Sequence, residues 1–551
     1  MPHQLALLAI TLVAAATIHT IVSNILSRRR RIAAIMASYG KPPVTDDYFQ
    51  FGSVSRYARQ LEANNPSPQR VDVITWGDLD MDKVFNRINS CQTSVGEEYL
   101  YNCLHELPLN NEALTQRESL IKFFTDNPDA RLDVQTLLAL RMGKEDYHGL
   151  ASLMFADDIA LLKHRHLYTA LGILPLILPL VLIVSVPIGV ISLIASFVVN
   201  MMVHYRTKRQ VATETPSIKY LTNMLRCSKK LSKIKALETL PVISEIKRYY
   251  KRLKSVKRNV PASSSMVGEL MDASFEYINI MFLYDIRKYN KFMKTIKSRS
   301  KEFHALYRAI GEIDMSICIS SFRQSLPEFA LPEFSAKSGM EFTDIYHPLI
   351  PSPVTNSRNI NNNSIITGSN ASGKSTFIKA LAINGILAQT INTCAAKAFK
   401  TRLSLIATSM VMRDDLSAGD SYFIVEIKSL KRILDLVQEY PCTCFIDEIL
   451  RGTNTVERIA ASAAVLEYIG EKDALCVAAS HDIELTRILA NSYDNYHFRE
   501  QVTDNEIVFD YKLNDGPSTT RNAIKLLGFM AFESQIVERA EALAGEYDQK
   551  T

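Results

Sequence analysis

Gly368-Ser-Asn-Ala-Ser-Gly373-Lys374-Ser375-Thr376 fits the pattern G-x-x-x-x-G-K-[ST]. It follows Ser364-Ile-Ile-Thr367, apolar enough for a strand, and precedes Phe377 to Leu387, which has helical character. That order is what phosphate binding demands. Glycines let backbone N–H groups wrap the phosphates, the helix N-terminus faces the anion, Lys374 reaches the β/γ-phosphates, and Ser375 can ligate Mg²⁺. The candidate nucleotide-binding residues are therefore Gly368, Ser369, Asn370, Ala371, Ser372, Gly373, Lys374, Ser375 and Thr376. An ordinary Gly/Ser turn can match the same pattern, so the segments downstream decide.

Cys442-Thr-Cys-Phe-Ile446 reads as a buried strand that delivers Asp447 and Glu448. The first carboxylate can hold Mg²⁺, and the second can orient and deprotonate an attacking water. A third strand, Ala474 to Ala479, brings Ser480 and His481 to the same sheet edge, the carboxyl end where open α/β sheets bind ligands; there His481 can sense the γ-phosphate. Paired acids or a Ser-His pair at a strand end would otherwise cap a helix; after a P-loop the nucleotide reading takes precedence. Asp414-Asp-Leu-Ser-Ala-Gly-Asp-Ser421 precedes the helix-compatible Tyr422 to Leu434. Ser421 has no evident task at its own P-loop. Facing a second subunit's ATP it would complete a composite site, which predicts a nucleotide-dependent homodimer; the plainer reading is an N-cap.

The 551 residues are 47% hydrophobic and 22% charged, with 20 Gly and 20 Pro, a composition that excludes a fibrous, wholly disordered or disulfide-scaffold class. Eight scattered cysteines read as core thiols in a reducing compartment, and a zinc site is not indicated. Net charge is +5, yet Arg206 to Arg258 holds sixteen Lys/Arg against three Glu. Such a strip suits nucleic-acid or lipid phosphates, or is simply a solvated helical face.

Leu5 to Leu26 is uncharged, long enough as a helix to cross a bilayer, and followed by Arg28-Arg-Arg-Arg31. With the charge after the apolar run, it reads as an uncleaved anchor with the N-terminus outside and the remainder in the cytoplasm. A second apolar block, Leu167 to Val203, is interrupted by Pro187 and Gly189 and has basic flanks. Two helices of about 17 residues joined at that Pro/Gly turn would put both flanks on one membrane face, giving three crossings; a re-entrant hairpin or a buried soluble hairpin is the alternative. Between and after these blocks, Val71 to Leu162 and Ser217 to Ile319 carry helical spacing, with a long amphipathic segment at Met271 to Phe292, a break at Val260 to Ser265, and a proline-marked boundary at Leu326 to Ser335.

Taken together, Ile366 to Thr376, Asp414 to Glu426, Asp447-Glu-Ile-Leu-Arg-Gly-Thr-Asn-Thr455 and Ser480-His-Asp-Ile-Glu-Leu485 resemble the MutS family, ABC-type ATPases of DNA mismatch repair. The likeness continues through Ile507 to Leu513 and Ile536 to Ala542, and reaches back to Ser94 to Leu100 and Ile310 to Asp314. It implies an α/β P-loop ATPase domain of the ABC/MutS type, preceded by an all-α lever and core domain, here with transmembrane helices. The expected organisation is a 1–27 anchor, helical core at 28–165, membrane hairpin at 166–205, basic lever at 206–330, and at 331–551 the ATPase domain with dimerisation helices. By the same resemblance Lys374 and Ser375 bind phosphate and metal, Asp447 holds Mg²⁺, Glu448 is the hydrolytic acid/base, His481 is the switch histidine, and Ser421 acts across the dimer. Tyr346-His-Pro348 resembles the motif that opens the family's ATPase domain.

The departures are equally specific. Fewer than about 70 residues precede the core, leaving no room for the mismatch-reading and connector domains. Phe498-Arg-Glu500 matches the family's Phe-x-Glu wedge only by chance, Asp420 replaces a basic residue before the signature serine, and Val354 stands where an adenine-stacking aromatic is expected. Two mechanisms result. One is a multi-pass protein of a bacterial inner membrane that couples cytoplasmic ATP hydrolysis in a dimer to double-stranded DNA held through backbone phosphates. The other is an ATP-driven machine that acts on membrane lipid or a membrane partner without DNA.

Overall fold

The computed structural model describes residues 2–44, 51–144, 149–155, 161–162, 164–211, 215–259, 269–369, 372–410, 422–450, 453–502, 507–518, 524 and 532–548. Contacts divide the chain into two interleaved units. A helical unit comprises Met1–Pro66, Asn89–Asn102 and Ser119–Phe322, and an α/β unit comprises Ser67–Ile88, Cys103–Glu118 and Arg323–Thr551.

The helical unit is built on apolar side chains recurring at helical spacing, among them Phe124, Val134, Leu221, Ile243, Phe292 and Ile313. Its polar core is closed by Asp314, whose carboxylate accepts from the Gln92 and Thr93 amides at 2.9–3.1 Å and from the Thr93 hydroxyl at 2.6 Å. Beside it, buried Glu97 pairs with Lys144 at 2.6 Å. The basic helix Pro241–Leu253 buries Ile243, Ile246 and Leu253 and turns Lys247, Lys251 and Arg252 to solvent. The expected long segment from Met271 is divided: helices Glu269–Phe282 and Tyr284–Ser298 meet at Leu283, whose φ of 48° is left-handed and ends the first helix. The expected break at residues 260–265 lies outside the described residues.

Helix Pro2–Ser38 runs without interruption through Arg28–Arg31. Among the described residues, two helical stretches are long and apolar enough to cross a membrane, Arg165–Val184 with 20 residues and Val186–Gln210 with 25. They are longer than the arms expected from the sequence because the helices continue past both ends of the apolar block, to Arg165 and Gln210, and the turn is at extended Ser185, not at Pro187/Gly189. Pro187 instead occupies the first turn of the second helix, where its missing N–H would have had no partner. The two helices are antiparallel. Gly189 packs on Leu182, where a Cβ would come within 2.5 Å, and Asn200 Nδ2 donates to Leu171 O (3.1 Å) and to Met281 O (2.7 Å) of helix Glu269–Phe282.

In the α/β unit, the described strands are β1 Glu333–Ser335, β2 Met340–Ile345, β3 Asn356–Ile360, β4 Ser364–Thr367, β5 Ala398–Arg402, β6 Leu405–Ser409, β7 Cys442–Asp447, β8 Ala474–Ala479, β9 Asp494–Val502 and β10 Ile507–Asp515. The larger sheet has the order β10-β9-β4-β8-β7-β6, parallel except for β10; the smaller is β1-β5-β2-β3. β4 and β7 are buried along their whole length because both sheet faces are covered. Helix Lys374–Ile391 lies between the sheets: a Cβ on its Gly385 would meet Ile406 of β6 at 2.9 Å and Met340 of β2 at 3.5 Å. The β6 edge is covered by helix Val73–Asp78, whose Asp78 accepts from Thr408 Oγ1 (2.7 Å) and Met410 N (3.0 Å). All eight cysteines are buried free thiols, as a reduced core requires.

Candidate nucleotide-binding site

Strand β4 ends at Thr367, and the chain turns at Gly368 with φ 144°. A Cβ there would stand 2.9 Å from Ser372 Oγ and 3.0 Å from Phe498 O, so the turn admits only glycine. The loop closes on itself as Ser372 N and Oγ donate to Ser369 O at 3.1 and 2.7 Å. Ser369 Oγ in turn donates to Glu500 of β9. Gly373, at φ 96°, starts helix Lys374–Ile391, and a Cβ at this position would lie 2.9 Å from Tyr511 Cδ1. Lys374 is 2% exposed, its ammonium donating to Gly368 O (2.5 Å) and Ser369 O (2.8 Å). Ser375 is half-buried and Thr376 exposed on the same first turn. Asn370, Ala371 and Ser421 lie outside the described residues, as does the whole 411–421 segment.

Two strands away in the same sheet, β7 carries Asp447, 7% exposed, to its carboxyl end. Glu448 follows at φ 60°, its amide bonded to Ala479 O at 2.9 Å, a left-handed conformation that non-glycine residues hold only where surroundings enforce it. Leu450, also left-handed at φ 57°, donates its amide to buried Glu426. β8, between β4 and β7, delivers Ser480 and His481. Ser480 N donates to Ile366 O of β4 at 3.0 Å, and His481 Nδ1 lies 3.5 Å from Glu448 Oε2. The hydrogen bond with Glu448 raises the His481 pKa above its usual value against the opposing effect of burial. Arg458 forks onto Asp482 at 2.7 and 2.9 Å and fixes the chain just beyond the histidine. The carboxyl edge of one sheet thus brings together the glycine loop, Lys374, Asp447, Glu448 and His481.

A cavity of about 340 Å³ adjoins the loop. Its walls include His347, Val354, Gly373, Phe498 and Tyr511. Burial pushes the His347 imidazole down to about 4, so it is a neutral wall, with Nδ1 accepting from the Leu349 amide at 3.3 Å. Phe498 and Tyr511 were not legible as site residues. They come from the β9–β10 ribbon more than 100 residues after the loop, and no spacing pattern links them to it. Their placement also gives Phe498-Arg-Glu500 a physical reason: Phe498 lines the cavity and Glu500 receives Ser369.

The site fits a magnesium nucleoside triphosphate on three observations. Positions 368 and 373 form a cradle that a Cβ would fill, the amides of a helix N-terminus open onto it, and Ser375 and Asp447 offer the hard oxygen donors that Mg²⁺ selects. No group of three or more His, Cys, Asp or Glu that could hold a metal ion occurs among the described residues.

Residues 364–548 match the family model described as MutS domain V. The chain is 32% identical over 186 residues to DNA mismatch repair protein MutS 2 of Haloarcula marismortui, covering 33% of this chain and 20% of that protein. It is 27% identical over 270 residues to DNA mismatch repair protein MutS of Staphylococcus carnosus, covering 46% of this chain and 31% of that one. The MutS protein of Staphylococcus aureus is 27% identical over 268 residues. The chain therefore spans less than a third of the length of these relatives.

Proposed function

Taking as premise that this chain is a MutS-family protein, we propose that it binds and hydrolyses ATP with Mg²⁺ in a composite dimer site and is anchored in a membrane. The reading is carried by the convergence of the Gly368–Gly373 loop with Asp447, Glu448 and His481 at one sheet edge. Lys374 and the helix amides hold the triphosphate, and Ser375 with Asp447 holds Mg²⁺, which when bound neutralises charge developing on the phosphates. Glu448 orients the attacking water and takes its proton, while His481, 3.5 Å away, fixes the carboxylate and senses occupancy of the site. Ser421 acts across the dimer on the second subunit's nucleotide.

Membrane anchoring is supported by the two exposed apolar helices Arg165–Val184 and Val186–Gln210 and by the apolar start of helix Pro2–Ser38, with the α/β unit in the cytoplasm. The matched relatives are named as DNA mismatch repair proteins, which favours coupling of hydrolysis to duplex DNA. Contact would be through backbone phosphates and therefore salt-dependent. One observation favours the alternative of membrane work without DNA: Asn200 ties the hairpin directly to helix Glu269–Phe282 of the helical unit, a route for force into the bilayer.

Steady-state ATPase activity of nanodisc-held protein, titrated separately with duplex DNA and anionic lipid, separates the two. Stimulation by DNA supports the first mechanism, and stimulation by lipid with DNA inert supports the second. Glu448→Gln should bind ATP yet lose at least about a hundredfold in turnover, as removal of a general base does. Wild-type turnover in that variant would refute the site assignment.

A further inference from the structure

We infer that the cleft between the foot of the hairpin and helix Tyr284–Ser298 binds the phosphate headgroup of an anionic phospholipid. The inference rests on insertion of the hairpin in a membrane. The cleft has a volume of about 820 Å³, and its lining includes Arg165, Arg287, Lys288, Lys291 and Lys294 and, among the described residues, no acidic one. Positions 284, 287, 288, 291, 295 and 298 recur at helical spacing, so one face of this helix is cationic and hydroxyl-bearing while the opposite face buries Ile286, Phe292 and Met293 in the core.

The floor of the cleft is built. Asn290, itself in the lining, grips the Leu162 backbone with two bonds of 2.8 Å, which ties the chain entering the hairpin to this helix. Gly172 lets the two helices touch: a Cβ there would stand 2.9 Å from the Arg287 Cδ, so the arginine stem packs on the hairpin. Lys288 lies over the Tyr284 ring, 3.9 Å from its centroid.

Position selects the ligand. Arg165 opens the first apolar helix, with exposed Leu167 in its first turn and exposed Leu174 two turns further on the same face. The antiparallel return brings Arg206 and Arg209 to the same end, with Lys208 there paired to Glu276 at 2.9 Å. Cations thus meet apolar surface where the hydrocarbon region would begin. A phospholipid satisfies both halves, headgroup phosphate on the cations and acyl chain along the leucines, whereas a nucleic acid or soluble phosphate would leave the apolar half in water.

The test is native mass spectrometry of the full chain released from micelles with equal phosphatidylcholine and phosphatidylglycerol. Wild type should retain phosphatidylglycerol preferentially. Arg287→Gln/Lys291→Gln/Lys294→Gln should reduce retention about a hundredfold, and Arg165→Gln alone about fivefold, since each basic side chain near an anionic surface contributes about that last factor. Lys247→Gln/Lys251→Gln, on the solvent face of a different helix, should retain lipid as wild type does. Circular dichroism confirms that each variant is folded. Unchanged retention in both cleft variants overturns the site. Displacement of the lipid by millimolar glycerophosphate, or loss of duplex binding with lipid retention intact, assigns the cleft to soluble phosphate or nucleic acid and equally overturns it. Alkaline carbonate washing of membranes tests the premise separately: release of wild-type chain would remove the inserted hairpin, and the site with it, while retention combined with unchanged lipid binding in the cleft variants refutes the site alone.

Discussion

Arg323 joins three parts of the α/β unit, and its removal has a calculable effect. Nη1 and Nη2 fork onto Glu118 at 2.8 and 2.6 Å, Nε donates to Thr393 Oγ1 at 2.9 Å, and Nη2 also reaches Asn392 O at 2.9 Å. Asn392 is the left-handed cap of the P-loop helix, so the arginine satisfies a carbonyl at the helix end opposite the phosphate cradle. Arg323→Ala takes a donor from four acceptor atoms and leaves Glu118, 23% exposed, without this fork, held only by Asn392 Nδ2 at 2.8 Å among the bonds described. A fully buried pair broken on one side loses about 3–5 kcal/mol, and the partial exposure of Glu118 reduces this to about 3 kcal/mol.

The measurement is urea unfolding of detergent-held protein followed by tryptophan fluorescence. Trp76, the sole tryptophan, is stacked on His105 at 3.7 Å and bonded to Asp82 at 2.8 Å, all within the α/β unit, so its emission reports that unit. With a urea slope of about 3 kcal/mol/M, the midpoint should fall by about 1 M. Arg323→Lys should lie between, because a point charge cannot reproduce the fork. Adding Glu118→Ala to Arg323→Ala should recover part of the loss, since the carboxylate that has lost its countercharge is removed. A midpoint shift under about 0.3 M at unchanged slope, or strict additivity of the two substitutions, would refute the reasoning.

Gly373→Ala forces a side chain into a φ of 96° and to within 2.9 Å of the Tyr511 ring, and should weaken binding of a fluorescent ATP analogue about tenfold or more; wild-type affinity would contradict the cradle. Burial pushes the Asp314 carboxyl from 3.8 to about 6. The fold therefore favours its neutral form: that stabilisation is full below about pH 4 and is lost as pH rises through 6, amounting to about 3 kcal/mol by pH 7.5. Hydrogen exchange of the 94–101 amides should show this decline in wild type and a flatter profile in Asp314→Asn; a flat wild-type profile rejects it. Gly172→Leu places a Cβ 2.3 Å from Phe282 O, so the hairpin must shift on helix Glu269–Phe282, lowering the thermal midpoint of nanodisc-held protein through an overpacking penalty of about 1–3 kcal/mol; an unchanged midpoint would show that the crossing is loose.

Much of the candidate site was legible because the pattern a phosphate requires is local. Ser364–Thr367, Gly368–Thr376 and the following helix are contiguous, and glycine positions with N–H groups at a helix start specify their own geometry. Strands β7 and β8 were equally plain as apolar runs that end in Asp447-Glu448 and Ser480-His481. The hairpin was legible as composition, yet its turn was displaced to Ser185, since Pro187 is compatible with a helix start and periodicity does not distinguish a proline that ends a helix from one that begins it. Leu283 escaped detection because an apolar residue carries no signal for a left-handed cap.

The sequence by itself therefore determined the strand, loop and helix of the glycine-rich turn, the carboxylates that follow β7, and the two apolar arms, all of which depend on neighbours within about a dozen residues. Only the tertiary structure decided that His481 lies 3.5 Å from Glu448, that Phe498 and Tyr511 wall the cavity, that Arg323 closes the far end of the P-loop helix, and that Arg165 faces the basic side of helix Tyr284–Ser298. These pairings join residues tens to hundreds of positions apart. They are set by strand register and helix crossing, which follow from how the whole core packs rather than from any local pattern.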